Sequence, residues 1–339
     1  MEQSTWSVKN NSGLPMKIFI TGGTGYIGQS VIKEGLKQQH ELIVLTRSEK
    51  NAQLLRAQGV QPIIGDMLED GEWQQVINQV DAIIHLATPP TWDKKVTHRE
   101  AEQFLKTHVK IAEALFNAVN PQHVKKIIFV GGSSYYGDTG NTTPRTEEFR
   151  NTPKGWGPFI TPAIEYAKSK KAEYPITFVF PAQIYGPSSW LEKIFMEPVY
   201  KKRIIAGLIG HNPHFSPIHI EDCGRACLHL LEHGQIGEDY ILSDLLQIPV
   251  ADFRKEVLRL MDAEHKWVFA VPQWVATLVV GPVVSEYATI HTNLSSQKLR
   301  ETGFELNYPT YKDGLASVVN AWLSIKKAQN ENFFQRYLK

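Results

Sequence analysis

The sequence predicts an α/β fold, in which a doubly wound parallel sheet with helices on both faces carries a smaller C-terminal lobe. Short apolar runs alternate with helical patterns through the first half of the chain. The runs are almost continuously apolar, which indicates strands buried on both faces, as in a parallel sheet covered by helices. After Tyr185-Gly186-Pro187 the alternation becomes irregular, and aromatic residues and prolines accumulate. This irregular part is the natural cover for a ligand, because such folds bind ligands beyond the carboxyl ends of their strands.

The apolar runs define the strands of the predicted sheet in chain order. The runs cover residues 17–21, 42–46, 62–65, 81–87, 126–131 and 176–181. Between the fourth and the fifth run, apolar residues at helical spacing predict a long helix over about residues 100–120, which Pro121 ends. Strands that alternate with helices in this way favour crossover connections and a parallel sheet.

A glycine-rich turn directly follows the first predicted strand. Glycines at 22, 25 and 28 stand between the apolar run 17–20 and an amphipathic helix. Glycine lets the backbone turn tightly and approach a ligand, and the following helix offers unpaired N–H groups and a partial positive charge. Because strand, turn and helix stand in the required order, the turn predicts the pyrophosphate cradle of a Rossmann-type fold. The residues predicted to touch a dinucleotide here are Gly22, Thr24, Gly25, Tyr26, Ile27 and Gly28.

The cradle and the change in pattern divide the chain into segments. We predict a loose polar tail over 1–15 and a dinucleotide-binding domain over 16–186. Residues 187–215 and 262–310 are assigned to a substrate-binding lobe. The stretch 216–261 is expected to return to the main domain, and 311–339 to form a C-terminal helical segment.

Composition excludes several classes of function. The formal net charge is +1, so nothing in the charge favours nucleic acid or an acidic membrane as a partner. The longest apolar stretch, 274–284, is too short to span a bilayer, and the N-terminus lacks an apolar signal-peptide core. We therefore expect a cytoplasmic protein. His229 and His233 suit the C-terminal end of a helix, and no metal site is predicted.

Four further segments stand in a fixed order after the glycine turn. They are Gly65-Asp66-Met67, Ile84-His85-Leu86-Ala87, Phe180-Pro181-x-x-x-Tyr185-Gly186-Pro187 and Pro217-Ile218-His219-Ile220-Glu221-Asp222. With the turn, they resemble the extended short-chain dehydrogenase/reductase family, the NAD(P)-dependent epimerase/dehydratase group, in an atypical form over about residues 16–320. Phe180 stands where that family has arginine. The resemblance implies further cofactor contacts by Asp66, Met67, Leu86, Ala87, Thr88, Pro181 and Ile184.

The end of the second strand bears on the choice of cofactor. NAD-binding folds commonly carry an acidic residue there, which binds the ribose 2′-hydroxyl. This chain has Thr46, Arg47 and Ser48 instead, with no carboxylate. A guanidinium can pair with a 2′-phosphate, and the hydroxyls can add hydrogen bonds. The sequence therefore favours NADP(H), with NAD(H) as the alternative.

The family's proton-transfer motif, Tyr-x-x-x-Lys, is matched by Tyr166 and Lys170. The i and i+4 positions share one helix face, and an ammonium group near a phenol favours the phenolate. By resemblance Tyr166 is the acid or base, Lys170 tunes it, and Ser133 or Ser134 orients the substrate oxygen.

Spacing leaves other sites open. Tyr166 stands only eight residues before Tyr174, about 12 Å of helix, which places it nearer mid-sheet than the ligand-binding edge. The residue near the cofactor would then come from the segment around Trp156, which cannot transfer a proton as tyrosine does. Tyr135 and Tyr136, at the end of the fifth strand, are reserve proton donors.

The resulting prediction is an NADP(H)-dependent oxidoreductase that acts on a carbonyl or a secondary alcohol of a small molecule. One alternative is a nucleotide-sugar epimerase or dehydratase with bound NAD(P). Another is a non-catalytic NADP(H)-binding sensor or scaffold. The resemblance also implies a homodimer built from the stretches 100–120 and 162–174.

Overall fold

Strands and helices alternate along residues 14–90, 95–202, 205–264 and 268–337, which the computed structural model describes. The strands are β1 (Lys17–Thr21), β2 (Glu41–Thr46), β3 (Gln61–Ile64), β4 (Ala82–His85), β5 (Lys126–Val130), β6 (Ile176–Pro181), β7 (Gln183–Tyr185), β8 (Ile205–Leu208), β9 (His214–Phe215), β10 (Pro217–His219), β11 (Asp239–Leu242), β12 (Ile248–Pro249) and β13 (Val268–Val271). The helices are α1 (Tyr26–Lys37), α2 (Glu49–Ala57), α3 (Trp73–Val76), α4 (His98–Ala118), α5 (Gly157–Ser169), α6 (Glu197–Lys202), α7 (Ile220–His233), α8 (Val250–Leu260), α9 (Gln273–Val280), α10 (Pro282–Tyr287), α11 (Gln297–Glu301) and α12 (Tyr311–Tyr337).

A seven-stranded sheet with the order β11-β6-β5-β4-β1-β2-β3 forms the centre of the molecule. Every neighbouring pair in it is parallel. The predicted fold class is confirmed, and all six predicted strands form with ends that move by at most two residues. The seventh strand, β11, was not predicted, since its four residues begin with an aspartate and carry little pattern.

Burial on both faces explains why the strands are continuously apolar. In β1, Ile18 and Ile20 pack on the face covered by α1 and α7, while Phe19 packs on the opposite face with residues of α4 and α5. Successive strand residues point to opposite faces, so a strand between two helical layers needs apolar residues at every position.

A third apolar cluster lies outside the sheet and joins residues 191–199, α8 and α12. Residues 216–261, predicted to return to the main domain, contribute to more than one cluster. Helix α7 packs along α1 and β11 joins the sheet, whereas α8 belongs to the third cluster. Conversely, Leu299 of α11, inside the predicted lobe segment 262–310, packs against the sheet face. Residues 1–13 of the predicted tail lie outside the described residues.

Helix α9 is apolar, yet none of its residues is buried. Trp274, Leu278 and Val279 are each more than 60% exposed. Within the described ranges, no helix is both long enough and apolar enough to cross a membrane. Helix α9 leads directly into α10, which reaches the ligand-binding edge of the sheet.

Candidate active site

The glycine turn after β1 is held in a shape that only glycine permits. Gly22 has φ +70°, and a Cβ there would lie 2.6 Å from the backbone carbon of Leu86. A Cβ on Gly28 would lie 2.5 Å from both the Gly22 carbonyl oxygen and the Gly23 Cα. The Gly25 N–H donates to the Gly22 carbonyl (2.9 Å) and closes the turn. The turn is therefore a cradle shaped by the close approach of backbone to backbone.

Helix α1 begins directly at this cradle with its first turn open. Gly25 occupies the N-cap position, no side chain caps the helix, and its first turn carries no acidic residue. Such an end presents free N–H groups and a partial positive charge to an anion. Thr24 and Tyr26 are exposed beside it, and Ile27 is partly buried. A Cβ on Gly186 would lie 2.8 Å from the Tyr26 hydroxyl, so the start of α1 closely approaches the segment after β7.

The ends of β1 and β4 form a hydrogen-bonded wall behind the cradle. The Thr21 hydroxyl hydrogen-bonds with His85 Nδ1 (2.8 Å) and accepts from the Ala87 N–H (3.3 Å). The imidazole of His85 stacks on Phe129, with ring centroids 5.1 Å apart. Burial lowers the pKa of His85 to about 3, so the ring is neutral at physiological pH. This wall fixes Leu86 and Ala87, whereas Thr88, one residue on, is exposed.

The end of β2 presents a cation beside the cradle. Arg47 is exposed (68% of its side chain), and its guanidinium lies 3.8 Å from the carboxylate of Asp66. Thr46 is buried, and the Ser48 hydroxyl accepts from the Asn51 N–H (3.3 Å) as the N-cap of α2. Asp66 accepts from the Leu68 N–H (2.9 Å), and Met67 is buried in the core. An exposed guanidinium whose carboxylate partner among the described residues is 3.8 Å away can pair with a phosphate.

The remaining predicted cofactor residues lie at the end of β6 and in β7. Pro181 ends β6 and is buried, while Ile184 lies in β7 and is partly buried. Both therefore lie at the carboxyl edge of the sheet, the edge at which the cradle, the wall and Arg47 also lie.

A buried 3₁₀ turn, residues 133–136, follows β5 at the same edge. It carries Ser133 and Ser134, and the backbone of Ser134 closely approaches the start of α5: a Cβ on Gly157 would lie 2.6 Å from the Ser134 carbonyl oxygen. Its two tyrosines both pack under Arg150. The Tyr135 hydroxyl donates to Glu165, and the guanidinium of Arg150 covers the rings of both Tyr135 and Tyr136 at 4.4 and 4.6 Å.

Tyr166 lies near the middle of the sheet's height, since its ring packs on Phe116, which stacks on Phe129 of β5, and Lys170 lies closer to the opposite edge. Helix α5 starts beside Ser134 and descends along the sheet, so Tyr166 stands about 14 Å below the first turn. Its ring packs 6.1 Å from that of Phe116, at the C-terminal end of α4, and Lys170 Nζ lies 5.7 Å from the ring of Tyr166. The nearby Tyr174 hydroxyl donates to the Phe116 carbonyl (2.7 Å) just before β6 begins. The structure therefore does not bring this pair together with Ser133 or the cradle.

Trp156 stands immediately before α5. It belongs to the segment from which the sequence predicts the residue near the cofactor. Its indole packs edge-on against Phe104 at 5.4 Å and joins a small apolar cluster with Val96, Ala101 and Val283. This cluster joins α4 of the main domain to α10 of the C-terminal part. Trp156 is therefore part of an apolar wall beside the site.

Tyr287, at the end of α10, lies at this edge and was missed by sequence reasoning. Its hydroxyl donates to Gln183 Oε1 (2.5 Å), and the Ser133 side chain lies near the phenol. Burial raises the pKa of Tyr287, and the Ser133 hydroxyl lowers it. Gln183 stood inside the quoted segment 180–187, but no local pattern marked Tyr287, which is 154 residues from Ser133 in the chain.

Comparison with known proteins agrees with this architecture. A protein of Schizosaccharomyces pombe is 40% identical over 72 residues, which are 21% of this chain and 24% of that protein. A Bacillus anthracis dTDP-glucose 4,6-dehydratase solved with NAD has a TM-score of 0.74 at 19% identity, over 91% of this chain and 97% of its own. A human epimerase family protein solved with NADPH has a TM-score of 0.73 at 17% identity, over 90% of this chain and 99% of its own.

The family model for the NAD dependent epimerase/dehydratase family matches residues 18–243. That range runs from β1 through β11, and so contains the whole central sheet, the cradle and the turn that carries Ser133. The chain thus belongs to the NAD dependent epimerase/dehydratase family of enzymes.

Proposed function

We propose that this protein is an NADP(H)-dependent oxidoreductase that interconverts a carbonyl and a secondary alcohol of a small molecule. The observation that carries the proposal is the exposed Arg47 at the end of β2, where no carboxylate is present to bind a ribose 2′-hydroxyl. Its guanidinium supports a 2′-phosphate, and the uncapped start of α1 suits the pyrophosphate.

Different residues at the carboxyl edge would bind different parts of the cofactor. Gly22, Gly25 and Gly28 provide the space and the N–H groups for the pyrophosphate, and Asp66 lies on the adenosine side beside Arg47. Leu86 and Ala87 are held in place by Thr21 behind the nicotinamide position. When bound, the cofactor supplies the hydride, and Ser133 holds the substrate oxygen. We assign no proton transfer to Tyr166 and Lys170, because they lie well below the ligand-binding edge of the sheet.

Replacing Arg47 tests the cofactor preference. In Arg47→Ala we expect the Kd for NADPH to rise about 10- to 100-fold, since a hydrogen bond to a charged group contributes about 1.5–3 kcal/mol, while the Kd for NADH changes little. Fluorescence titration measures both constants. Arg56→Ala is the matched control, because it removes another exposed guanidinium, one that pairs with Glu49 on α2. Equal losses for NADPH and NADH, or none, would refute the NADP(H) preference.

A second candidate function is nucleotide-sugar epimerisation or dehydration. The Bacillus anthracis neighbour, a dTDP-glucose dehydratase solved with NAD, favours it. Such an enzyme would copurify with its cofactor and show no net oxidation of NADPH. A non-catalytic NADP(H) sensor would bind the cofactor without turnover of aldehydes or ketones. The homodimer and the cytoplasmic location remain predictions; sedimentation of a pure monomer at micromolar concentration would contradict the former.

A further inference from the structure

Three elements that are distant in sequence meet at one phenol. Ser133 comes from the turn after β5, Gln183 from β7 and Tyr287 from α10. The Tyr287 hydroxyl donates to the Gln183 amide oxygen (2.5 Å), and the Ser133 hydroxyl lies near the same phenol. Ser133 is 5% exposed. The phenol thus lies at the carboxyl edge beside the residue proposed to hold the substrate oxygen.

The approach of α10 to this edge depends on close backbone contacts. A Cβ on Gly155 would lie 2.8 Å from the Tyr287 Cα. The Gly155 N–H donates to the carboxylate of Glu286, the residue before Tyr287 (2.8 Å). At the other end of α10, Gly281 meets Val96, whose N–H donates to the Val280 carbonyl (3.2 Å). Tyr287 is therefore held at the site from both ends of its helix.

We propose that Tyr287 is the proton donor of this enzyme, supplied by the C-terminal part in place of a tyrosine on α5. The proposal rests on the proposed function. In carbonyl reduction the hydride that NADPH would supply forms the new C–H bond at the carbonyl carbon with its electron pair. The C=O π pair moves to the oxygen. The Tyr287 O–H bond breaks, its proton passes to that oxygen, and a proton from solvent restores the phenol. The sum is carbonyl, NADPH and H⁺ giving alcohol and NADP⁺.

The surroundings of Tyr287 favour one direction of the reaction. Burial raises the pKa of the phenol, so it is neutral and protonated at physiological pH. The cations on α5 are engaged elsewhere: Lys168 donates to Asp239 (2.5 Å) and Lys170 lies over Tyr166. A neutral phenol can donate to an alkoxide but cannot accept a proton from an alcohol. We therefore expect reduction of the carbonyl to be favoured over oxidation of the alcohol at neutral pH.

Removal of the hydroxyl tests the proposal. We would measure NADPH oxidation with 4-nitrobenzaldehyde as the probe in Tyr287→Phe, and the Kd for NADPH by fluorescence. A positioned acid contributes about 10²- to 10⁴-fold, so we expect kcat to fall at least 100-fold while the Kd stays within twofold. Tyr174→Phe is the matched control, because it removes a hydrogen-bonded phenol at the opposite edge. In the wild type, kcat should be level between pH 6 and 9.

A second readout does not depend on turnover. With 3-fluorotyrosine incorporated, the ¹⁹F resonance of Tyr287 is identified by its loss in Tyr287→Phe, and it should shift when 4-nitrobenzaldehyde is added to the NADP⁺ complex. If Tyr287→Phe binds the cofactor and reduces the probe as well as the wild type does, the assignment of Tyr287 as proton donor is refuted and the proposed function stands. If the wild type binds NADPH without turnover, the oxidoreductase proposal fails. If the ¹⁹F resonance of Tyr287 also does not shift when 4-nitrobenzaldehyde is added, the assignment of Tyr287 as proton donor is refuted as well. Absence of NADPH binding overturns both.

Discussion

The two ends of α5 lie in opposite environments. At its first turn, glycine at 155 and 157 allows the backbone to touch Tyr287 and Ser134 closely, beside the cradle. At its last turns, Tyr166 packs among aromatic rings and Lys168 is bound to the buried Asp239. The first end is shaped by contacts with the ligand-binding edge, and the second is fixed in the core.

The difference follows from the length of the helix. Thirteen residues span about 20 Å, the full height of a six-residue strand. A tyrosine and a lysine at i and i+4 share a face anywhere along such a helix, but only the first turn reaches the cofactor edge. Whether a side chain can act on a ligand therefore depends on its height along the sheet. At the ligand-binding edge this chain places Trp156 beside the start of α5 and Tyr287 from α10.

Disturbing the upper end should have the largest effect. Gly155 has φ +57° and a Cβ there would lie 2.8 Å from the Tyr287 Cα, so Gly155→Ala must displace the end of α10. A displacement of about 1 Å at a reacting group costs roughly 100-fold, and we expect such a loss in kcat with an NADPH Kd within threefold. NADPH oxidation with 4-nitrobenzaldehyde, together with fluorescence titration, measures both.

Gly140→Ala provides the control for this variant. Gly140 has a similar φ, +69°, but a Cβ there would meet no atom within 4 Å, so the change carries the backbone strain without the clash. Its kcat should stay close to that of the wild type. Similar losses in the two variants would show that strain, and not the contact with Tyr287, limits activity.

The lower half of α5 should matter for stability. Asp239 on β11 accepts from Lys168 (2.5 Å) and from Arg150 (2.9 Å), and its carboxylate is 9% exposed. In Asp239→Asn both cations lose their counter-charge, and we expect the free energy of unfolding to fall by about 2 kcal/mol, a typical value for a hydrogen bond to a charged group. Urea unfolding measures this value.

Asp252→Asn is the matched control for Asp239. Its carboxylate lies 3.5 Å from Lys255 and is 49% exposed, and such pairs contribute little. If both variants lose the same stability, burial of the Asp239 cluster is not what holds α5 in place. A large rise in the NADPH Kd of Asp239→Asn would place the lower end of α5 in the binding site after all.

Local sequence predicts the glycine turn but not the proposed proton donor. About thirty residues contain β1, the glycine turn and the end of β2, where a carboxylate is missing. Backbone sterics act over such a short stretch of chain. Ser133, Gln183 and Tyr287 lie as far as 154 residues apart, and they meet through packing of α10 on Gly155. Hydrophobic periodicity carries no information about such a contact. The strand spacing predicts that Tyr166 stands nearer mid-sheet than the ligand-binding edge.

The smallest effect is expected at Tyr166, and this prediction decides between the two phenols. In the structure its ring packs on Phe116 and lies under Lys170, contacts that phenylalanine keeps. We therefore expect Tyr166→Phe to hold kcat within threefold and to change the free energy of unfolding by no more than about 0.5 kcal/mol, as substitutions away from special features do. The measurement is the same NADPH assay with urea unfolding, run beside Tyr287→Phe. A loss of 100-fold in Tyr166→Phe with an intact Tyr287→Phe would restore the motif on α5 and require the helix to rise toward the cofactor when substrate binds.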